Sequence, residues 1–129
     1  MIVLDTNVLI NILRKKERGR QWKEYLKDKS VAFTSITAFE LFLGAELSKK
    51  REENIKAVKN LIQEFHVIPF SMKSAYIAGI IYSDLQRKGK IIELNDIFIA
   101  AITMEYNAEL ATDNIDHYQR ISRLKIISI

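Results

Sequence analysis

The chain contains no cysteine, which excludes thiol catalysis, cysteine-ligated zinc and iron–sulfur clusters. The lack also fits a reducing compartment, so a cytoplasmic location is expected. Histidine is almost as scarce. With only His66 and His117, neither a multi-histidine zinc site nor most histidine-driven acid–base chemistry is expected. One proline (Pro69) and four glycines leave no composition for a flexible linker, and there is no repeat or low-complexity tract. The longest apolar run, Ala75 to Tyr82, falls far short of the ~20 residues a membrane span needs. The opening residues Met1-Ile2-Val3-Leu4-Asp5 lack the basic start and long apolar stretch of a signal peptide. What remains is ordinary: 129 residues, 48% hydrophobic and 28% charged, the balance of one globular domain. The formal charge of +4 is compatible with a polyanionic partner without specifying one.

Short apolar runs alternate with longer stretches of helical periodicity. Ile2-Val3-Leu4, Val31 to Thr34, His66 to Ile68, Glu109 to Ala111 and Leu124 to Ile127 read as strands. Helices are expected over Thr6–Leu13, Glu17–Lys27, Ile36–Leu47, Asn54–Phe65 and Ser71–Arg87, the last stopped by Gly89. A further buried helix should run to Met104, capped by Asn95 or Asp96. Strands alternating with helices predict an α/β fold of three layers, α/β/α, around a mostly parallel central sheet.

In such sheets ligands collect beyond the carboxyl ends of the strands. Asp5 follows the first strand and Asp113 the fourth; each also suits a helix cap. Glu40 is harder to explain. Ile36, Leu43 and Leu47 share its helical face, and neither Lys nor Arg lies between Lys29 and Lys49 to pair with it locally. A distant lysine such as Lys73 is the structural alternative. Asp96 directly precedes the apolar run Ile97 to Ile102. Carboxylates that converge without a basic partner repel one another and need a cation. Oxygen-only ligands select Mg²⁺ or Mn²⁺, whose usual work is phosphodiester chemistry.

Four motifs occur in order: Asp5-Thr6-Asn7-Val8-Leu9-Ile10, Thr37-Ala38-Phe39-Glu40-Leu41, Asn95-Asp96-Ile97-Phe98-Ile99-Ala100-Ala101 and Leu110-Ala111-Thr112-Asp113-Asn114. In kind and spacing they resemble the PIN-domain nucleases, and among these the VapC-type toxins. The closing stretch His117-Tyr118-Gln119-Arg120-Ile121 with Leu124-Lys125-Ile126 fits as well, so the likeness runs from end to end as one PIN domain, 1–129. The resemblance implies a Mg²⁺- or Mn²⁺-dependent endoribonuclease acting on RNA, a homodimer, and inhibition by a cognate antitoxin protein. Carried over by position, Asp5, Glu40 and Asp96 would be the core acidic ligands. Thr6 or Asn7, and Thr112, would orient the carboxylates or a bound water. The fourth acid departs from the common pattern, because the usual position holds the neutral Asn114. Asp113 continues directly from its strand and is the expected fourth acid. Asp116 is the second choice, and Asn114 an orienting neighbour.

Between Arg14 and Lys29 lie eight basic and three acidic residues, with smaller clusters at Lys49-Lys50-Arg51 and Arg87-Lys88 with Lys90. Each is either a solvated helix face or a rim that holds flanking phosphates. Trp22, Tyr25, Phe39 and Phe42 read mostly as core, and the VapC resemblance assigns the early helices to the antitoxin groove. His66 reads as structural, whereas His117 follows Asp113 closely enough to neighbour the site. Two other aspartate-based folds fit less well. A haloacid-dehalogenase phosphatase wants an acid where Asn7 stands, and a receiver domain wants an acidic pair before its first helix. A catalytically silent PIN-like assembly subunit and a housekeeping RNA-processing nuclease remain alternatives.

Overall fold

A computed structural model describes all residues from Met1 to Ile129. Five strands form one sheet: β1 (Ile2–Leu4), β2 (Val31–Thr34), β3 (His66–Ile68), β4 (Glu109–Ala111) and β5 (Lys125–Ile127). Their spatial order is β3-β2-β1-β4-β5, and every neighbouring pair is parallel. The sheet is thus wholly rather than mostly parallel. Parallel strands are buried on both faces, which is why Ile2-Val3-Leu4 and Val31-Ala32-Phe33 are unbroken apolar runs.

Side chains alternate across the strands and divide the core in two. Val3, Ala32 and Leu110 face one apolar cluster, filled by α5 (Met72–Arg87), α6 (Leu94–Glu105) and the short α7 (Ile115–Tyr118). Ile2, Leu4, Phe33 and Ala111 face the other, with α1 (Thr6–Leu13), α2 (Glu17–Leu26), α3 (Ser35–Glu46) and α4 (Arg51–Glu64). Each fully buried Leu, Ile or Phe contributes about 1.5–3 kcal/mol of transfer free energy. That holds the three layers together. Gly19 lets α2 press against α1, since a Cβ there would lie 2.1 Å from the Asn11 carbonyl oxygen. Gly89, at φ +65°, ends α5 in the left-handed conformation glycine adopts freely.

Several expectations change in detail. Neither Asn95 nor Asp96 caps α6; the N-cap position is Glu93, and Asp96 is the third residue of the first turn. Helix α4 begins at Arg51, three residues early, because Glu52 and Glu53 favour a helix N-terminus. Of the four aromatics read as core, only Trp22 is fully buried; Phe42 is half-buried, and Tyr25 and Phe39 are exposed. Helix α3 is apolar nearly all round, so Leu43 and Leu47 face solvent rather than enclosing Glu40.

Candidate functional site

The chain winds outward from β1 through β2 to β3, then crosses back to add β4 on the other side of β1. The switch point therefore lies between the carboxyl ends of β1 and β4, where open parallel sheets bind ligands. Asp5 leaves β1 there and Thr112 leaves β4. The Asp5 N–H donates to the Ala111 carbonyl at 3.0 Å, which extends the ladder one residue into the site.

Asp5 occupies the N-cap of α1 and its side chain is held from three directions. Oδ1 accepts the Thr6 N–H at 2.9 Å and the Tyr118 hydroxyl at 3.1 Å, and Oδ2 accepts the Thr112 hydroxyl at 2.8 Å. Glu40 is half-buried on α3 and accepts the Thr6 hydroxyl at 2.7 Å. Because that hydroxyl has a single proton, Thr37 Oγ1, 2.9 Å from Thr6 Oγ1, must be the donor to it. Thr37 lies one turn before Glu40, so α1 and α3 are joined by a Thr37–Thr6–Glu40 relay. Glu40 makes no ion pair, and the distant-lysine alternative falls away.

Asp96 sits in the first turn of α6, where the helix dipole favours a negative charge. His117 Nδ1 approaches its Oδ2 to 3.6 Å and lies 2.9 Å from Asn114 Nδ2. These groups surround a cavity of about 160 Å³ with no hydrophobic residue in its wall. Four carboxylates line it (Asp5, Glu40, Glu93 and Asp96), together with Thr6, Asn7, Asn114 and His117. No lysine or arginine does.

Burial pushes the carboxyl groups of Asp5, Glu40 and Asp96 above their ordinary values. The negative charge of Asp5 adds to the rise at Glu40 and Asp96, and Glu93 adds to both. Hydrogen bonds from Thr112, Tyr118 and Thr6 work the other way at Asp5, and from Thr6 at Glu40. Two carboxylates that each disfavour the other's ionisation invite a cation. The donor set, oxygen with one imidazole, fits a hard divalent ion such as Mg²⁺ or Mn²⁺. No three of these carboxyl and imidazole groups stand close enough to clasp an ion without side-chain rotation.

The expected fourth acid is not among them. Asp113 points to α2, accepting Arg18 Nε at 2.8 Å and the Trp22 indole N–H at 3.1 Å on each oxygen. Arg18 Nη2 closes the pair at 2.7 Å and also donates to the Ile129 carbonyl at 2.6 Å. The reason is chemical: Trp22 is fully buried and its indole N–H needs an acceptor, which Asp113 supplies. Asp116 faces a separate surface cavity beside Lys90 and Arg120. Glu93 is the fourth carboxylate in the cavity wall, while the charge of Asp113 still adds to the rise at Asp5. The position of Glu93 ahead of α6 was the available sign, since glutamate is a poor N-cap and here it makes no capping bond. Tyr118 carried no sign at all: its period with Ile115 and Ile121 marks it as core, and the hydroxyl's target is visible only in three dimensions.

A family model for the PIN domain matches residues 2–124. The chain belongs to the PIN domain family. Among relatives, a "Ribonuclease VapC2" of Rickettsia felis is 32% identical over 124 residues, covering 95% of this chain and 92% of that protein. A "tRNA(fMet)-specific endonuclease VapC" of Salmonella typhimurium is 29% identical over 124 residues, covering 96% and 94%. The crystal structure of VapBC2 from Rickettsia felis bound to a DNA fragment from their promoter contains a chain that superposes with a TM-score of 0.87. It is 32% identical, with 100% of this chain and 99% of that one covered. The sheet order described above is thus that of a PIN domain whose relatives are named ribonucleases.

Proposed function

We propose that this protein is a metal-dependent endoribonuclease, the toxin of a VapC-type toxin–antitoxin pair, with the whole chain acting as one PIN domain in the cytoplasm. The observation that carries the reading is the all-polar cavity at the β1/β4 switch point, walled by four carboxylates and no cation. Near full-length similarity to VapC ribonucleases supports the reaction class. That no helix is long and apolar enough to cross a membrane is in keeping with such a protein.

Asp5, Glu40 and Asp96 are the residues assigned to hold Mg²⁺ or Mn²⁺, with Glu93 in place of Asp113 as the fourth carboxylate. When bound, a divalent ion supplies Lewis acidity toward the scissile phosphate and its attacking water. The chain's own residues do the rest. Thr112 and the Thr6 N–H fix Asp5, and the Thr37–Thr6 relay fixes Glu40, so two acids from different elements keep one relative placement. Asn114 and His117, which also line the cavity, offer polar contacts to substrate or water. Arg14 lines the neighbouring groove that shares Glu40, and Lys90 with Arg120 lies beyond α7. These cations offset the repulsion between an acidic cavity and an RNA backbone.

The groove between α1, α3 and α4, about 290 Å³ and lined by Ile10, Leu13 and Leu41, is assigned to an apolar antitoxin segment. Exposed Met72, Tyr76 and Ile80 follow at i, i+4 and i+8 on α5 and form the surface assigned to a homodimer. The decisive experiment is RNA cleavage by purified protein with Mg²⁺, Mn²⁺ or EDTA, alongside Asp96→Asn. Cleavage that survives both EDTA and the substitution would sink the proposal.

A further inference from the structure

Tyr118 is the last residue of α7, and its ring is fully buried in the core between the sheet and α5–α6. The only polar atom on that ring reaches out of the apolar cluster into the acid site. Its hydroxyl donates to Asp5 Oδ1 at 3.1 Å. A carboxylate has about four lone-pair positions, two on each oxygen. On Asp5 Oδ1 both are taken, by the Thr6 N–H and by Tyr118; on Oδ2 one is taken, by Thr112. A single lone pair is left, on Oδ2.

We infer that Tyr118 is a positioning residue that closes Oδ1, so that Asp5 presents one oxygen to the cavity, binds one divalent ion, and does not bridge a pair. The inference rests on the metal-dependent reading of the cavity above and deepens it. Bridging two ions requires two open lone pairs, one on each oxygen or both on the same one, and Asp5 has a single open pair, on Oδ2, while Tyr118 donates to Oδ1. Asp96 is the other carboxylate beside that hydroxyl, and the hydrogen bond the hydroxyl makes is the one to Asp5 Oδ1. The hydroxyl also links layers, since α7 follows β4 whereas Asp5 ends β1.

The test compares the full chain with Tyr118→Phe and Asp5→Asn, each titrated with Mn²⁺ alone by calorimetry and by electron paramagnetic resonance, well below the melting temperature. The wild type should show an isolated Mn²⁺ signal at saturation, with no exchange-coupled pair. Asp5→Asn should lose this binding. Tyr118→Phe keeps the ring that fills the core and should bind Mn²⁺ about tenfold more weakly, the usual cost of losing a group that orients a ligand. A merely structural hydroxyl would lower the melting temperature and leave the dissociation constant of the folded protein unchanged, which would overturn the inference. An exchange-coupled Mn²⁺ pair in the wild type would overturn it as well, whether or not the variant folds. A wild type that binds no Mn²⁺ would instead overturn the metal reading of the cavity and this inference with it. Normal binding to the wild type and equal binding to Tyr118→Phe would remove Tyr118 alone.

Discussion

Replacing Asp113 by alanine separates an acid that holds the fold from the acids assigned to the site. The substitution removes the acceptor for the Trp22 indole N–H and the partner of Arg18. A buried donor left without a partner costs about 1–3 kcal/mol. Position 113 is itself exposed, so water enters the gap and the lower part of that range applies. The Arg18–Asp113 pair is more than a third exposed on the arginine side, and screening limits it to about 0.5 kcal/mol. Together Asp113→Ala should destabilise by about 1.5–2 kcal/mol, a fall of roughly 5–10 °C in Tm for a chain of this size. Asp113→Asn keeps one oxygen acceptor and should lose about half as much. Thermal and urea unfolding measure the stability, and cleavage of a model RNA at 20 °C measures the site. Both variants should cleave at close to the wild-type rate. Loss of cleavage with an unchanged Tm would refute this reasoning and return Asp113 to the active site.

The assigned site acids should behave in the opposite sense. Asp5→Asn or Asp96→Asn should abolish cleavage yet raise the Tm of the metal-free protein, because each removes a buried charge that repels its neighbours; a lowered Tm with retained cleavage would contradict this. Glu93→Gln should weaken Mn²⁺ binding by about tenfold in a calorimetric titration while Asp116→Asn leaves it unchanged, the magnitude being that of losing a group beside the metal. Metal-free wild-type protein should gain stability as pH falls through the raised folded pKa values, the gain being complete near the ordinary 3.8 of aspartate and 4.5 of glutamate. The sign follows because the folded state takes up protons at a pH where the unfolded chain does not, and Asp96→Asn should flatten the curve relative to wild type. Ile80→Lys on α5 should shift the sedimentation of the free protein from dimer to monomer without lowering its Tm; an unchanged profile would place the interface elsewhere.

Most of the framework was legible because its determinants are local. Strands β2, β3 and β4 have the expected limits, since each is a short segment whose buried residues are mostly apolar, as a parallel sheet requires. Helix α1 likewise begins where Asp5 supplies a cap. The same locality explains the errors on α3. Spacing alone put Glu40 among Ile36, Leu43 and Leu47, but a helix apolar nearly all round has no single face for a residue to belong to. Which side turns inward was decided by the sheet, and Leu41 and Ala45 went in instead.

The fourth acid shows the same limit in a sharper form. Asp113 and Asn114 are adjacent, and both leave the carboxyl end of β4, so position along the chain gives each an equal claim on the cavity. Consecutive side chains leaving a strand point in different directions, so only one of the two turns toward the acids. Trp22 settles which. Its indole is 91 residues away in sequence, fully buried, and its N–H requires an acceptor at the edge of α2. With Asp113 hydrogen-bonded to Trp22, Asn114 lines the cavity, and Glu93 is the fourth carboxylate in its wall. Neither half of this exchange is encoded near the motif it alters. It depends on a tryptophan and a helix start that meet the site only after the sheet has brought β1, β4 and α6 together.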